Sequence, residues 1–581
     1  MIGVNMSTSG TNKLGKDGVA VAVLLISCLL GFILPCSAAE PVKTALSATE
    51  QMRLGERMYR EGILPSGKAM QSVVKGGVAV PGTSFSCASC HLRAGLGSVE
   101  GNVVAPPATG AKLYKPYIRP PSLTNNSDRA GQAMHDRTVV QRPAYDRKSL
   151  ASALRDGIDP AGNVLNDAMP RYPLDDRDMA ILISYLESLS STPSPGASAT
   201  EFHFATIITD DVSQEDREAL LQPLQEVIAE KNQQLKLYDD FIKFGYSPSI
   251  EMKHAFRKAS LAVWELKGAP ATWGSQLAAY YKSNPVFAVL GGISNSDWRP
   301  IHDFCEAEHL PCLFPITDLP VVSATGWYTY YFNKGYAQEG EAAARYLNLM
   351  EGSAADTPIL QIVQDSPVGR ALASGFQASW HELDHPAVTT LTLAAGQLLD
   401  HAVLADILKK HKPGVLLLWT DAALLPFLPK LTEQLPPTGK IFISSGYLGK
   451  KTITLEEAVR ERVYITFPYR LTPYVGSGDG ALVAKVPTLT RAKDLGDRRI
   501  TSRTIGMLKL VTMRGLNLLY DNLYRDHLLD IIGSQMDLIV RDYEYLTFGP
   551  GQRYVSSGCY IIQLGPGAEP ALLPKSEWVI Y

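Results

Sequence analysis

From residue 201 onward the chain alternates between short apolar runs and helical periodicity, and this constrains the fold more than any other feature. Strand-like runs lie at His203–Thr209, Ser260–Trp264, Val286–Gly291, Pro358–Val363, Val388–Leu393, Val415–Trp419, Ile441–Ser444 and Val463–Phe467. Helical stretches such as Glu339–Leu349, Gly369–His381 and Leu398–Lys410 separate most of them. A strand–helix–strand rhythm predicts parallel sheets with helices packed on their faces. The number of units exceeds one small sheet, so two α/β lobes are expected. The sequence has no G-x-x-x-x-G-K-S/T phosphate loop.

Residues 191–200, Ser191-Thr192-Pro193-Ser194-Pro195-Gly196-Ala197-Ser198-Ala199-Thr200, are small, uncharged and interrupted by proline. Such a stretch has little apolar surface to bury and reads as a linker. The expected organisation is an export signal over 1–39, a domain over 40–190, the linker over 191–200 and the two lobes over 201–581. At 45% hydrophobic and 19% charged residues the chain has globular composition. A net charge of −3 gives no sign of a nucleic-acid partner.

In the first domain, Ser47 to Arg60 predicts a helix, with Ser47-Ala48-Thr49-Glu50 in the form of a capping box. Asp175 to Leu189 predicts another. Met179, Leu182, Ile183 and Leu186 recur there at helical spacing, and Asp175, Asp176 and Asp178 favour its N-terminus. Between them stands Cys87-Ala88-Ser89-Cys90-His91. C-x-x-C-H places two thiols to add across the vinyl groups of haem and sets the adjoining His beneath the iron. A zinc site would want a second ligand pair at short spacing, and the sequence offers none. One covalent haem c is therefore expected on Cys87 and Cys90, with His91 as proximal iron ligand.

Met169 is the candidate for the opposite axial position. It lies in Asp167-Ala168-Met169-Pro170-Arg171-Tyr172, where Pro170 and Pro173 exclude a regular helix, so it does not belong to an apolar stripe. Met134, His135 and Met179 are the other candidates. With C-x-x-C-H after a first helix and M-P-x-x before a last one, residues 45–190 resemble class I cytochromes c. The resemblance implies an all-α domain. It aligns Gly55, Tyr59, Tyr185 and Leu186 with the family's helix-packing positions, and Pro106 or Pro107 with the proline whose carbonyl orients the proximal imidazole. His/Met ligation would raise the haem potential relative to His/His and leave no open site, which implies electron transfer rather than independent enzymatic chemistry.

Residues 201 to about 565 resemble type I periplasmic solute-binding proteins of the branched-chain amino-acid class. The stretches that carry this are Val286-Phe287-Ala288-Val289-Leu290-Gly291-Gly292-Ile293-Ser294-Asn295-Ser296, Leu310-Pro311-Cys312-Leu313-Phe314-Pro315-Ile316-Thr317, Tyr330-Tyr331-Phe332 with Gln338-Glu339-Gly340, and Phe548-Gly549-Pro550-Gly551-Gln552-Arg553. The resemblance implies hinge closure around a small amino-acid-like or organic-acid solute and aligns Ser294, Ser296 and Thr317 with its solute contacts. A local reading of Ser294 competes, as N-cap of a helix over Trp298–His309.

Lys13 and Lys16, the apolar run Val19–Pro35 and Ser37-Ala38-Ala39 have the form of a cleavable export signal. An uncleaved anchor and a lipid on Cys28 are the alternatives. A periplasmic location follows, and Cys305 and Cys312 are then either a local disulfide or buried thiols. The expected whole is multidomain: an all-α cytochrome c domain followed by a two-lobed α/β binding-protein-like domain. Its expected role is electron transfer with a redox partner, a dehydrogenase or another cytochrome. A solute receptor or redox sensor with an accessory haem is the alternative.

Overall fold

The structure is a computed structural model and describes residues 46–580, apart from 102, 119–140, 246–256, 324, 351–356, 395–396, 398–400, 475–490, 536–537 and 550. The expected export signal, Met134 and His135 lie outside the described residues. The chain separates into two units, 1–51 and 52–581. Of the first, residues 46–51 are described; they open the helix Ala48–Glu61, and the Glu50 N–H donates to Ser47 Oγ at 3.2 Å.

Up to residue 190 the chain forms helices at Ala48–Glu61, Cys87–His91, Gly110–Leu113, Arg147–Arg155 and Asp176–Ser188. The first and last cross at close range. A Cβ on Gly55 would lie 2.5 Å from Tyr185 Cβ and 2.9 Å from the Ile181 carbonyl, so only glycine fits there. Tyr59 and Tyr185 pack with ring centroids 5.5 Å apart. The expected all-α architecture is corrected: antiparallel pairs join Gln71–Val74 to Val78–Pro81, Ser98–Glu100 to Val103–Ala105, and Tyr117–Ile118 to Gln141–Arg142. The first pair turns at Gly76 and Gly77, both at positive φ, a conformation glycine adopts without steric cost. β-Branched residues on either side of that turn favour the hairpin over a helix.

Beyond residue 200 the two expected lobes are present. The first holds a parallel five-stranded sheet in the order Thr329–Tyr330, Cys312–Leu313, Ala288–Leu290, Glu201–Thr209, Lys258–Leu266. The second holds seven strands in the order Thr389–Leu393, Ile359–Gln364, Val415–Trp419, Lys440–Ser444, Val463–Phe467, Tyr560–Leu564, Leu572–Pro574. Its first five strands run parallel; Tyr560–Leu564 pairs antiparallel to Val463–Phe467, and Leu572–Pro574 antiparallel to Tyr560–Leu564. Phe202, Phe204 and Phe287 share one core with Met507, Leu528 and Tyr543, so the chain returns to the first lobe after building most of the second. It crosses between lobes from Tyr330 to Tyr336, from Leu495 to Ile500 and from Val555 to Cys559. Among the described residues no helix is long and apolar enough to cross a membrane. Cys305 and Cys312 are buried free thiols in the first lobe, close enough to hydrogen-bond to each other.

The segment 191–200, expected as a free linker, is bound to the first lobe. Ser194 N–H donates to the Leu523 carbonyl at 2.8 Å, and His203 N–H donates to the Gly196 carbonyl at 2.8 Å. Gly196 has φ +78°, and a Cβ there would lie 2.1 Å from the Phe287 nitrogen. Backbone hydrogen bonds hold this stretch where apolar side chains are lacking. The helix Arg525–Gly533 organises the junction. Asp526 accepts from Arg60 at 2.6 Å and from the Tyr328 hydroxyl at 3.0 Å, and Arg93 lies 3.5 Å away. Asp530 accepts from the N–H groups of Arg93 at 3.2 Å and Ala94 at 2.9 Å.

Arg525, buried at the start of that helix, donates to the carbonyls of Phe287 (3.1 Å), Glu308 (3.3 Å), His309 (3.3 Å) and Pro195 (3.4 Å) and to the Tyr281 hydroxyl (3.0 Å). Arg525→Met keeps the length of the side chain but strands these acceptors. The expected loss of stability is about 3 kcal/mol, read from the shift in urea midpoint by fluorescence. A change below about 0.5 kcal/mol would show that water replaces the guanidinium without cost.

Candidate functional site

Two places in the molecule gather polar side chains with a chemical purpose. The first is the short helix Cys87–His91. It is held from both ends: the Tyr172 hydroxyl donates to the Phe85 carbonyl at 2.8 Å, and the Tyr59 hydroxyl donates to the Leu92 carbonyl at 2.7 Å. Leu92 stands at φ +62°, which turns the chain sharply after His91. Cys87 is buried, Cys90 exposed, and both are free thiols. Burial pushes the Cys87 thiol up to about 12. His91 Nδ1 lies 2.7 Å from the Pro106 carbonyl. A carbonyl only accepts, so Nδ1 carries the proton and the Nε2 lone pair is left for a ligand. Burial lowers the imidazole pKa and favours this neutral form.

Met169 is half-buried in a turn rather than a helix. Arg171 fixes that turn: its guanidinium donates to the Met169 carbonyl and, at 3.0 Å, to the Leu165 carbonyl. Its backbone exchanges hydrogen bonds with Val73 at 2.8 and 2.9 Å. Gly157 makes room for the guanidinium; a Cβ there would lie 1.9 Å from Arg171 Nε. Three residues after Met169, Tyr172 reaches the segment that leads into Cys87, so the turn and the C-x-x-C-H helix are tied to each other. The donor set fits a covalent haem: two free thiols at the attachment spacing and a neutral imidazole with Nε2 unengaged.

The second place is the cleft between the lobes. A cavity of about 130 Å³ is lined by Asp318, Asn333, Tyr336, Glu339, Tyr469, Arg498 and their neighbours. Glu339 enters from the helix Tyr336–Leu349 and is fully enclosed. Burial pushes its carboxyl up to about 7, against hydrogen bonds from the Thr466 hydroxyl (2.5 Å) and Ser444. Gly446 packs directly beside it: a Cβ there would lie 2.6 Å from Glu339 Oε1.

Ser294, Ser296 and Thr317 do come together on the first-lobe side, but their hydroxyls are engaged within the protein. Ser294 Oγ accepts from the Ser296 N–H at 3.0 Å, and Thr317 Oγ1 accepts from the Leu319 N–H at 3.2 Å. Ser296 Oγ donates to Asp211 at 2.7 Å, and Asn295 Nδ2 donates to the Asp211 carbonyl at 2.8 Å. Ser294 is not a helix cap: the helix starts at Arg299, whose N–H donates to Asp297 at 2.9 Å. Arg498 arrives from far along the chain and donates to Asn295 Oδ1 (2.6 Å), Asp318 (3.1 Å) and the carbonyls of Ile316 (3.2 Å) and Ser294 (3.4 Å). Sequence reasoning missed Asp211, Glu339 and Arg498. Their sequence separations are too large for any spacing rule.

Residues 257–485 match the family model of a periplasmic binding protein. No curated protein matches the chain. Among solved structures, a putative branched-chain amino acid ABC transporter from Rhodospirillum rubrum is 14% identical, with 66% of this chain and 100% of that chain covered and a TM-score of 0.44. A solute-binding protein from R. palustris in complex with benzoate is 14% identical, with coverage of 66% and 98% and a TM-score of 0.40. A fatty acid ABC transporter substrate-binding protein from Thermomonospora curvata is 15% identical, with coverage of 67% and 95% and a TM-score of 0.39. Residues 257–485 are thus similar to periplasmic binding proteins and lie within the two-lobed α/β part of the chain.

Glu339 gives the fold a pH signature. Its carboxyl holds a proton up to about pH 7 when folded and releases it near the ordinary 4.5 when unfolded. The folded chain therefore binds more protons across that window, and stability falls as pH rises from 4.5 to 7. One such group contributes at most about 1.4 kcal/mol per pH unit. Asp530, also pushed up to about 7 by burial, acts in the same direction. Glu339→Gln is expected to remove one proton's share of the slope and leave the rest, measured as melting temperature against pH. An unchanged slope would mean the carboxylate is solvated in the cleft.

Proposed function

We propose that this chain is an exported solute receptor of the periplasmic-binding-protein kind whose N-terminal domain carries one covalent haem c. The receptor reading is supported above all by the polar cavity between two α/β lobes joined by three crossings, together with the family match over 257–485. Lobes linked in this way close about a hinge and enclose a small solute. The location that goes with this class is the periplasm.

The haem reading is supported by the donor set around Cys87–His91. Cys87 and Cys90 would hold the porphyrin by thioether bonds, His91 Nε2 would take the proximal position on the iron, and Met169 Sδ the distal one. When bound, the haem supplies one-electron exchange. The Pro106 carbonyl holds the proximal imidazole in one tautomer and orientation, as outer partners of metal-bound histidines do. The partner would be a dehydrogenase or another cytochrome, and the domain would serve as an electron carrier rather than an independent enzyme.

One observation favours a redox sensor over two independent functions. The loop after His91 is hydrogen-bonded to Asp530 of the first lobe, and the Tyr330 hydroxyl, at the lobe crossing, donates to the Leu529 carbonyl of the same helix at 3.0 Å. Haem loop and hinge thus share one rigid element.

Intact-mass measurement of the exported protein is expected to show the addition of one haem, lost in the Cys87→Ser, Cys90→Ser double variant. Met169→Ala is expected to lower the midpoint potential and remove the weak long-wavelength Met–iron band. An unchanged spectrum and potential would refute Met169 as ligand. An unmodified mass from a host with haem-attachment machinery would refute the haem reading altogether.

A further inference from the structure

The two sides of the cleft differ in what they leave available. On the first-lobe side the groups that could donate to an anion are engaged, apart from the Thr317 hydroxyl, which accepts from the Leu319 N–H and keeps its own proton. Asp211 takes Ser296 and Asn295, Ser294 and Thr317 are held by their own backbones, and Arg498 is spread over Asn295, Asp318 and two carbonyls. Arg503 approaches Asp318 from behind at 3.6 Å. Beyond that one hydroxyl, a solute carboxylate would have to displace one of these internal contacts and leave a partly buried acid without its counter-charge, which is costly.

The acids of the cavity are paired differently: Asp318 is ion-paired to Arg498, whereas Glu339 accepts from neutral groups, the Thr466 hydroxyl, Ser444 and the Gly446 N–H. Asp318, Glu339 and Asp497 all line the cavity, and Arg498 is the one cation among its described lining residues. Glu339 is enclosed with no cation paired to it in the structure, a state in which a carboxyl stays protonated unless a positive charge arrives. Tyr336, Phe467 and Tyr469 supply the aromatic wall. Arg499 lies over Tyr469 at 4.6 Å and Phe467 at 5.7 Å, so one face of each ring is already taken by the protein's own cation. The cavity of about 130 Å³ admits only a small molecule.

We infer that the cleft is built for a small solute that presents a protonated amine and no carboxylate, with Glu339 as the counter-charge and Asp497 and the Tyr336 ring beside it. This rests on the receptor reading and gives it a solute class. It differs from the amino-acid-like or organic-acid solute implied by sequence resemblance, because Asp211 and Asp318 already occupy most of the donors that such a solute needs.

The test uses the full-length exported protein in thermal-shift and calorimetric titrations. Ethylamine, ethanolamine and putrescine are the amine probes; acetate, benzoate and leucine are the carboxylate probes. At least one amine is expected to raise the melting temperature by a few degrees while the carboxylates do not. Glu339→Gln, which keeps the shape of the side chain, is expected to weaken that amine at least tenfold. Asp497→Asn at the more open edge is a second variant and is expected to weaken it less. Carboxylates that bind as well as or better than amines overturn the solute class and leave the receptor reading standing. Amine binding that neither variant changes overturns the site. No binding by either set counts against the receptor reading itself, and the inference falls with it.

Discussion

The buried acids of the helix Arg525–Gly533 are the contacts on which the arrangement of the molecule depends. A carboxylate removed from water is strongly unfavourable unless it is paired and hydrogen-bonded. Asp526 meets that condition with partners from outside its lobe. Burial pushes its carboxyl up, Arg60 and Arg93 outweigh it, and the net effect holds it below the usual range. Asp530, four residues on, has no guanidinium at hydrogen-bond distance and relies on two backbone N–H groups of the loop after His91. Its position one turn further along the same helix face is what lets one element hold both the first helix and the C-x-x-C-H loop. Trp327 closes the junction between two guanidiniums, Arg93 at 4.1 Å and Arg553 at 3.5 Å.

The same helix is a reference for the hinge. Gly533 sits against the Tyr330 hydroxyl, where a Cβ would lie at 2.9 Å. Tyr330 packs on Phe548 with centroids 4.9 Å apart. These two residues stand near two lobe crossings, so the helix that holds the loop after His91 also packs against segments that a lobe displacement would move. In a close-packed interior such displacements are passed on rather than absorbed.

Much of the fold was legible in the sequence. The strands Val415–Trp419 and Val463–Phe467 have the predicted bounds, and most others differ by one to three residues at an end. These are apolar runs buried on both faces, and their composition alone identifies them. The hairpins among residues 71–105 were not legible, because short partly exposed strands carry little periodic signal and their pairing depends on turns at glycine. Residues 191–200 misled for a related reason. Small uncharged residues are compatible with a free linker, and only the carbonyls and N–H groups they meet in the first lobe make them part of it.

The candidate sites divide in the same way. C-x-x-C-H is a local pattern, since both thiols and the imidazole must sit within one turn of chain, and so the sequence alone was enough to find it. Met169 was a candidate because Pro170 and Pro173, both just after it, exclude a regular helix there. Ser294, Ser296 and Thr317 lie on the first-lobe side of the cleft, but Ser294 and Thr317 are bonded to nearby backbone and the Ser296 hydroxyl donates to the distant Asp211. By itself, then, the sequence determined the α/β rhythm and the spacing of the haem-type motif, both of which are written in near neighbours. The tertiary structure alone decided which charges meet in the cleft and at the junction. Those pairs join residues such as Arg60 and Asp526 or Asn295 and Arg498, separated by hundreds of positions, and electrostatic pairing across such distances leaves no periodic trace in the chain.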